Sequence, residues 1–390
     1  MPRRVAVITG GRADYGLLRP LLRALVDDPV FELDVIVTGM HLVPEQGETW
    51  REVERDGFRI AEKVNLDIAG DRPTAIARAI GTGVAGMSDA FARMRPDIVV
   101  LLGDRFEIFA AAVAAMIARI PIAHIHGGEA TYGAMDEAIR HSITKMAQWH
   151  CTSTEAYRRR VIQLGEAPER VFFVGAIGLD NIRTTALLDR AALERSLQFT
   201  LGKPTFLVTF HPVTLEPNSA DQVDALLAAL DEFPQARVVV TLPNVDTDSR
   251  AIRARLTAYA SDNQGRVAAF AALGTERYLS MLAHCDAVIG NSSSGFIEAP
   301  SFRVPTVNIG DRQMGRIAPP SVIHCRPTRD EIRQAIRRAL DPKFIASLRD
   351  MKNPYGDGYA TSRIVDVLRS VPLGEGAIKK QFYDLAEVAA

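Results

Sequence analysis

Acidic and histidine side chains recur along this chain just after short apolar runs. Gly103-Asp104-Arg105-Phe106-Glu107 follows the run Ile98–Leu102. His124-Ile125-His126-Gly127-Gly128-Glu129 ends and follows Ile120–Ile125. Asp136 and Glu137 open a helical stretch, with Arg140 and His141 one turn further on. Carboxylates and imidazoles suit proton transfer, and open α/β sheets place their ligands at the carboxyl ends of strands. Each residue also has a plainer reading. Asp104 is well placed to cap a helix. In a strand, His124 and His126 share one face, and with a carboxylate they could hold zinc. Strand-end polar clusters more often touch a substrate, so no metal is expected, and either histidine alone reads as a hydrogen-bonded structural residue.

The second half carries a different set. In Asp286–Glu298, DAVIGNSSSGFIE, an apolar run is followed by Asn291, Ser292, Ser293, Ser294, Gly295 and then Glu298. Strand, small polar turn and helix is the layout that binds phosphate on backbone N–H groups, and Glu298 could accept from a sugar diol. The alternative is that the serines only cap a helix. His211-Pro212-Val213-Thr214 follows another apolar run, and Arg312-Gln313, with Arg316 nearby, follows Thr306–Ile309. Arginine there could clamp a diphosphate bidentately. Gly10-Gly11-Arg12 follows Val5–Thr9 and offers a further cation. It matches neither the dinucleotide fingerprint nor the P-loop, and no nucleophile-elbow serine occurs. Acids and histidines thus follow first-half strands, while phosphate and diol binders follow second-half strands.

Elements to position these groups are legible. The runs Val5–Thr9, Leu33–Thr38, Ile98–Leu102, Ile120–Ile125 and Val171–Val174 predict strands, with helices over Leu17–Val26, Phe106–Ala118 and Asp136–Ala147. The second half predicts strands at Thr205–Phe210, Arg237–Thr241, Val267–Ala271, Ala287–Ile289 and Thr306–Ile309, with helices at Asp221–Leu230 and Thr275–Ala283. Continuous Val/Ile/Leu strands alternating with helices predict α/β domains built on parallel sheets covered on both faces. With 390 residues, two domains are expected, joined near Gly175–Arg195, with a tail helix at Lys379–Ala390. A cleft between two such domains is a natural substrate site. Net charge is −1, from 46 basic and 47 acidic residues, which points away from nucleic-acid and membrane partners. Three scattered cysteines and the short apolar run at the N-terminus fit a reducing, cytoplasmic setting rather than an exported one.

Together GGRADYG, GDRFE, HIHGGE, MDEAIRHSITKMA, FHPVT and GNSSSGFIEAPSFRVPTVNIGDRQMGR resemble the hydrolysing UDP-N-acetylglucosamine 2-epimerases, the bacterial enzymes of sialic-acid and legionaminic-acid biosynthesis in particular. The resemblance runs from near Arg3 to beyond Arg316. It implies GT-B architecture: two Rossmann-like doubly wound domains facing across a cleft, here 1–178 and 179–365, with 366–390 returning to the first.

The resemblance also implies an activity: removal of the C2 proton, loss of UDP from C1 to give a glycal, then hydration to the free manno sugar. No cofactor is implied, and a homodimer or homotetramer is. Matched by motif, Asp104, Glu129 and Asp136 are candidate acids and bases, and His211 a catalytic or diphosphate-binding residue. Arg12, Arg105, Ser292, Ser293 and Arg312 would meet the diphosphate, and Glu298 the ribose diol. Many relatives have glutamate where this chain has His126, so either His126 or Glu129 takes that role, and Glu137 beside Asp136 is a second ambiguity. The same chemistry on a UDP-linked 2,4-diacetamido-trideoxy sugar or a GDP-linked sugar, a non-hydrolysing epimerase, a GT-B glycosyltransferase and a non-catalytic nucleotide-sugar sensor are the alternatives. The acid cluster argues against the last two.

Overall fold

The computed structural model describes residues 2–385 other than 45–46, 71, 133, 214–218 and 244–248. Thr214 of the FHPVT motif and the end of the expected tail helix, 386–390, lie outside the described residues. The chain divides into two compact units. One comprises Met1–Glu129, Asp136–Asn181 and Tyr355–Ala390, and the other Ala130–Met135 and Ile182–Pro354.

The first unit is built on a seven-stranded parallel sheet in the order β3-β2-β1-β4-β5-β6-β7. Its strands are β1 (Arg3–Thr9), β2 (Phe31–Thr38), β3 (Ile60–Val64), β4 (Ile98–Leu102), β5 (Ile122–Ile125), β6 (Trp149–Thr152) and β7 (Val171–Phe173). Every residue of β4, Ile-Val-Val-Leu-Leu, is buried, as expected of a strand covered on both faces. One face packs on the helices Arg12–Asp27 and Ala360–Ser370, and the other on Pro73–Met94 and Phe106–Ile117. Alanines and Gly83 let the last two helices approach closely; a Cβ on Gly83 would lie 3.0 Å from that of Ala110.

The second unit repeats the plan with six parallel strands in the order β10-β9-β8-β11-β12-β13. These are β8 (Thr205–Thr209), β9 (Arg237–Thr241), β10 (Val267–Phe270), β11 (Ala287–Gly290), β12 (Thr306–Ile309) and β13 (Val322–Cys325). In both sheets the first strand of the unit pairs on one side with the second and on the other with the fourth. This is the Rossmann order, and the reversal point beside β1 or β8 is where such sheets open for ligands.

Two sequence expectations are corrected. The chain re-enters the first unit at Tyr355, ahead of residue 366. The reason is a built anchor: both carboxylate oxygens of buried Asp180 accept from the N–H groups of Ala360 and Thr361, at 3.0 and 2.9 Å, and so cap the returning helix. The tail is not helical over Lys379–Leu385; a single turn, Glu375–Ile378, precedes it. Its polar groups are engaged elsewhere, Tyr383 N–H donating to Gly165 O at 2.9 Å and Lys380 Nζ to Ala147 O at 2.6 Å. Among the described residues no helix is long and apolar enough to cross a membrane.

Candidate active site

In the first unit the polar cluster gathers at the carboxyl ends of β1, β4 and β5. Its organiser is Arg140, one turn into the helix Asp136–Met146 and 1% exposed. Arg140 Nε donates to Asp104 Oδ2 at 2.9 Å, and Nη2 bonds the same oxygen. Nη1 donates to Glu137 Oε2 at 2.7 Å and to the main-chain carbonyl of Glu129 at 2.9 Å. Glu137 Oε1 lies 3.0 Å from His141 Nε2. A buried guanidinium needs such compensation, and here it comes from three of the motifs singled out above. Asp136, half-buried, begins the same helix.

His126 sits at the left-handed backbone angle φ = +68°, directly after β5. Its Nε2 accepts from the N–H of Ile177 at 3.2 Å, so the proton resides on Nδ1, which faces Glu129 Oε1 at 3.5 Å. That oxygen also accepts from Ser153 Oγ at 2.7 Å, and Glu129 is 3% exposed. The pair is thus a buried carboxylate set against the Nδ1 side of an imidazole. His124, two residues earlier, is wholly buried between Gly103 O at 2.8 Å and Thr144 Oγ1 at 3.2 Å. Burial lowers its pKa to about 3, so it stays neutral and structural.

Arg105 Nε donates to Glu107 Oε1 at 2.7 Å. Glu107 is wholly buried, with no partner for its other oxygen among the described residues. It lies so close to Gly10 that a Cβ there would come within 2.4 Å of Oε1, which is why glycine follows β1. Asp14, in the first turn of the helix Arg12–Asp27, shares this corner. Its Oδ2 is shut off from solvent without a partner among the described residues. Burial raises the Asp14 carboxyl to about 7 against the attraction of Arg105, and Glu107 and Asp104 push it the same way. Arg12, by contrast, has a two-pronged ion pair with Glu52, Nε donating to Oε2 at 3.1 Å.

In the second unit Asn291 is the hub. Its side-chain amide brackets the backbone of His211, with His211 N–H donating to Oδ1 at 2.7 Å and Nδ2 donating to the His211 carbonyl at 2.8 Å. Its own carbonyl accepts from Arg312 Nη1 at 3.2 Å and Gln313 Nε2 at 2.8 Å. One residue therefore ties the loops after β8, β11 and β12 together. Gly290 permits this: at φ = +136° a Cβ would lie 1.9 Å from Thr209 O. The serine segment differs from expectation in detail. The helix there is one turn, Ser294–Ile297, with Glu298 at its end. So short a helix has little dipole to offer an anion. Nor are the hydroxyls spent as a strong cap: Ser293, in the N-cap position, makes no side-chain cap bond, and Ser292 Oγ accepts from Ser294 N–H at 3.3 Å.

The structure thus brings together Asp104, Glu129, Glu137 and, through Glu129, His126 in the first unit, and His211 with Arg312 around Asn291 in the second. Arg12 stands apart on Glu52. Sequence reading missed Asp14, Glu107, Arg140 and Asn291 as site residues, although each stands inside a quoted motif. Asn291 directly follows β11 and Asp14 lies in the first turn of the helix after β1, so both were findable; the role of Arg140 needs the fold.

The family model described as UDP-N-acetylglucosamine 2-epimerase matches residues 23–369. The chain is 39% identical over 387 residues to the polysialic acid biosynthesis protein P7 of Escherichia coli, covering 99% of this chain and 98% of that protein. It is 37% identical over 387 residues to the UDP-N,N'-diacetylbacillosamine 2-epimerase (hydrolyzing) of Legionella pneumophila, covering 97% and 99%. The crystal structure of a UDP-GlcNAc 2-epimerase from Neisseria meningitidis bound to UDP-GlcNAc superposes with a TM-score of 0.79 at 18% identity, covering 94% of this chain and 99% of that one. That likeness gives the fold as GT-B-like.

Proposed function

Because this chain belongs to the UDP-N-acetylglucosamine 2-epimerase family, we propose that it is a hydrolysing 2-epimerase that converts UDP-N-acetylglucosamine and water to N-acetylmannosamine and UDP. The observation that carries the reading is the acid cluster drawn together by buried Arg140: Asp104, Glu137 and the main chain of Glu129, at the head of a helix that begins with Asp136.

A C2–H bond is weakly acidic, so its cleavage needs the C1–O bond to loosen early, with positive charge building on the ring as in glycoside cleavage. Carboxylates held near the ring stabilise that charge and move the proton. In this account Asp104 and Asp136 serve the two faces of C2. One removes the proton as the C1–O bond breaks and UDP leaves. The other, protonated, returns a proton to C2 of the glycal from the opposite face while water adds its hydroxyl at C1, and the proton left by that water passes back to the carboxylate so formed. Glu129 works indirectly, holding His126 with its proton on Nδ1. Of the two, this reading gives His126 the part taken by glutamate in many relatives, with Glu129 as its support.

His211, Ser292, Ser293, Arg105 and Arg312 take the leaving diphosphate, whose charge they stabilise as it develops. Glu298 takes the ribose diol. Arg12 joins the diphosphate set by exchanging Glu52, a half-exposed partner, for phosphate. A second reading keeps the chemistry and changes the sugar: the name of the Legionella relative supports a 2,4-diacetamido-trideoxy substrate. A nucleoside-diphosphate release assay with UDP-GlcNAc, the UDP-linked diacetamido sugar and GDP-GlcNAc tests both. Fastest turnover of UDP-GlcNAc supports the first reading, fastest turnover of the diacetamido sugar the second, and no release from any of them overturns the proposal.

A further inference from the structure

The segment Lys379–Leu385 bears on the helix that carries the acid cluster from that helix's far end. The helix Asp136–Met146 carries Asp136, Glu137 and Arg140 at its start and Lys145 in its last turn. Beyond that end lies Glu166, wholly buried. It collects three cationic or imidazole partners: Lys145 on Oε1, and Lys380 Nζ at 2.7 Å and His150 Nε2 at 3.1 Å on Oε2. Lys380 Nζ also donates to the carbonyl of Ala147, just past the helix, at 2.6 Å. A cation on the last carbonyls of a helix is favourable, and here it is half-buried.

The chain around Lys380 is laid down with equal care. Tyr383 N–H donates to Gly165 O at 2.9 Å. The Phe382 ring covers Gly165 so closely that a Cβ there would lie 2.3 Å from it, and Lys145 Nζ stands 5.0 Å from the ring centroid. Arg170 Nη1 donates to Ala377 O at 3.0 Å. Inward, His150 is paired in register with His124 of β5, and His124 bonds the carbonyl of Gly103, the residue before Asp104. The tail thus holds the far end of the proton-transfer helix, and the histidine that shares Glu166 with it stands in register beside the one that bonds the turn before Asp104.

We infer that the segment Lys379–Leu385 is a strap that positions the proton-transfer helix, with Lys380 its positioning residue. The inference rests on the reading of Asp104 and Asp136 given above. Burial and the charge of Lys380 and Lys145 hold the His150 imidazole below its ordinary pKa, against the pull of Glu166. Burial alone would raise Glu166, but His150, Lys145 and Lys380 outweigh it and hold its carboxyl down to about 2. Loss of Lys380 therefore leaves a mark on His150 that does not depend on turnover.

The test compares full-length Lys380→Met, Lys380→Arg and, as an exposed control, Lys379→Ala. For Lys380→Met, kcat for the nucleotide sugar falls about tenfold or more with KM within about twofold, since small displacements of catalytic groups cost rate more than binding. Lys380→Arg recovers most of the loss, and Lys379→Ala matches the parent. The His150 ring signals in NMR titrate at higher pH in Lys380→Met than in the parent. An unchanged kcat in Lys380→Met, or a loss of kcat that Lys380→Arg fails to recover, overturns the strap. If the parent turns over no nucleotide sugar, the functional reading has failed, and the His150 titration alone decides whether Lys380 acts on this network; an unmoved titration overturns it.

Discussion

Arg140 Nε donates to Asp104 Oδ2 at 2.9 Å from a side chain that is 1% exposed, while Asp104 itself keeps 24% of its side chain open to solvent. The cation is sealed and the carboxylate is presented. That asymmetry is what a positioned acid or base requires: one oxygen is held, and the group still reaches a reactant. Asp104→Asn keeps the shape and one acceptor while removing the charge. Turnover is expected to fall by about 10²–10⁴-fold, the usual weight of a general acid or base. UDP affinity by calorimetry stays within about threefold, because the diphosphate is assigned to other residues. A parallel collapse of UDP binding would move Asp104 from chemistry to structure.

Glu129 and His126 form a pair with a direction: the carboxylate faces Nδ1 and the backbone of Ile177 occupies Nε2. If Glu129 acts only through His126, removing it adds nothing once the imidazole is gone. In a double-mutant cycle on kcat, Glu129→Gln combined with His126→Gln is expected to cost no more than His126→Gln alone. Fully additive losses would give Glu129 an independent role.

Asp14 makes a prediction about pH. Its folded pKa, about 7, lies above the ordinary 3.8, so between these values the folded protein holds a proton that the unfolded chain has lost. Stability from this group is present below about pH 4 and is lost as pH rises to 7. The neutral replacement Asp14→Asn lacks that dependence. Thermal melts should show its Tm gaining on the parent's from pH 4 to pH 7, then running parallel above. A constant difference across that range would mean that Asp14 is ionised throughout.

Asn291→Ala removes both hydrogen bonds to the His211 backbone while leaving the carbonyl that Arg312 and Gln313 use. At about 1 kcal/mol for each bond, UDP affinity is expected to drop about 10–30-fold as the His211 loop loosens. Unchanged UDP affinity would show that the bracket is structural only.

Much of this was legible beforehand because the strands are continuous apolar runs. Ile98–Leu102, Arg237–Thr241 and Thr306–Ile309 stand where their residues place them. Strands that broke the pattern were not foreseen: Ile60–Val64 is a half-exposed edge with Glu62 and Lys63, and Trp149–Thr152 hides His150 and Cys151 in a buried position. The tail failed for a related reason. Lys379–Leu385 has helical composition, but its groups are drawn into tertiary bonds at Gly165, Glu166 and Ala147. At the site, motif position singled out Asp104 and Glu137, which the structure gathers on one guanidinium; that long-range partner, Arg140 across from Asp104, is a product of topology.

In the proposed reaction the C2–H bond and the C1–O bond are both broken and water takes the place of UDP. Incubation with UDP-GlcNAc in deuterated water, followed by proton and phosphorus NMR, tests it directly. The account predicts free N-acetylmannosamine carrying deuterium at C2, with one UDP released for each sugar. Accumulation of a UDP-linked manno sugar without free UDP, or a released sugar that keeps its original C2 proton, would contradict it.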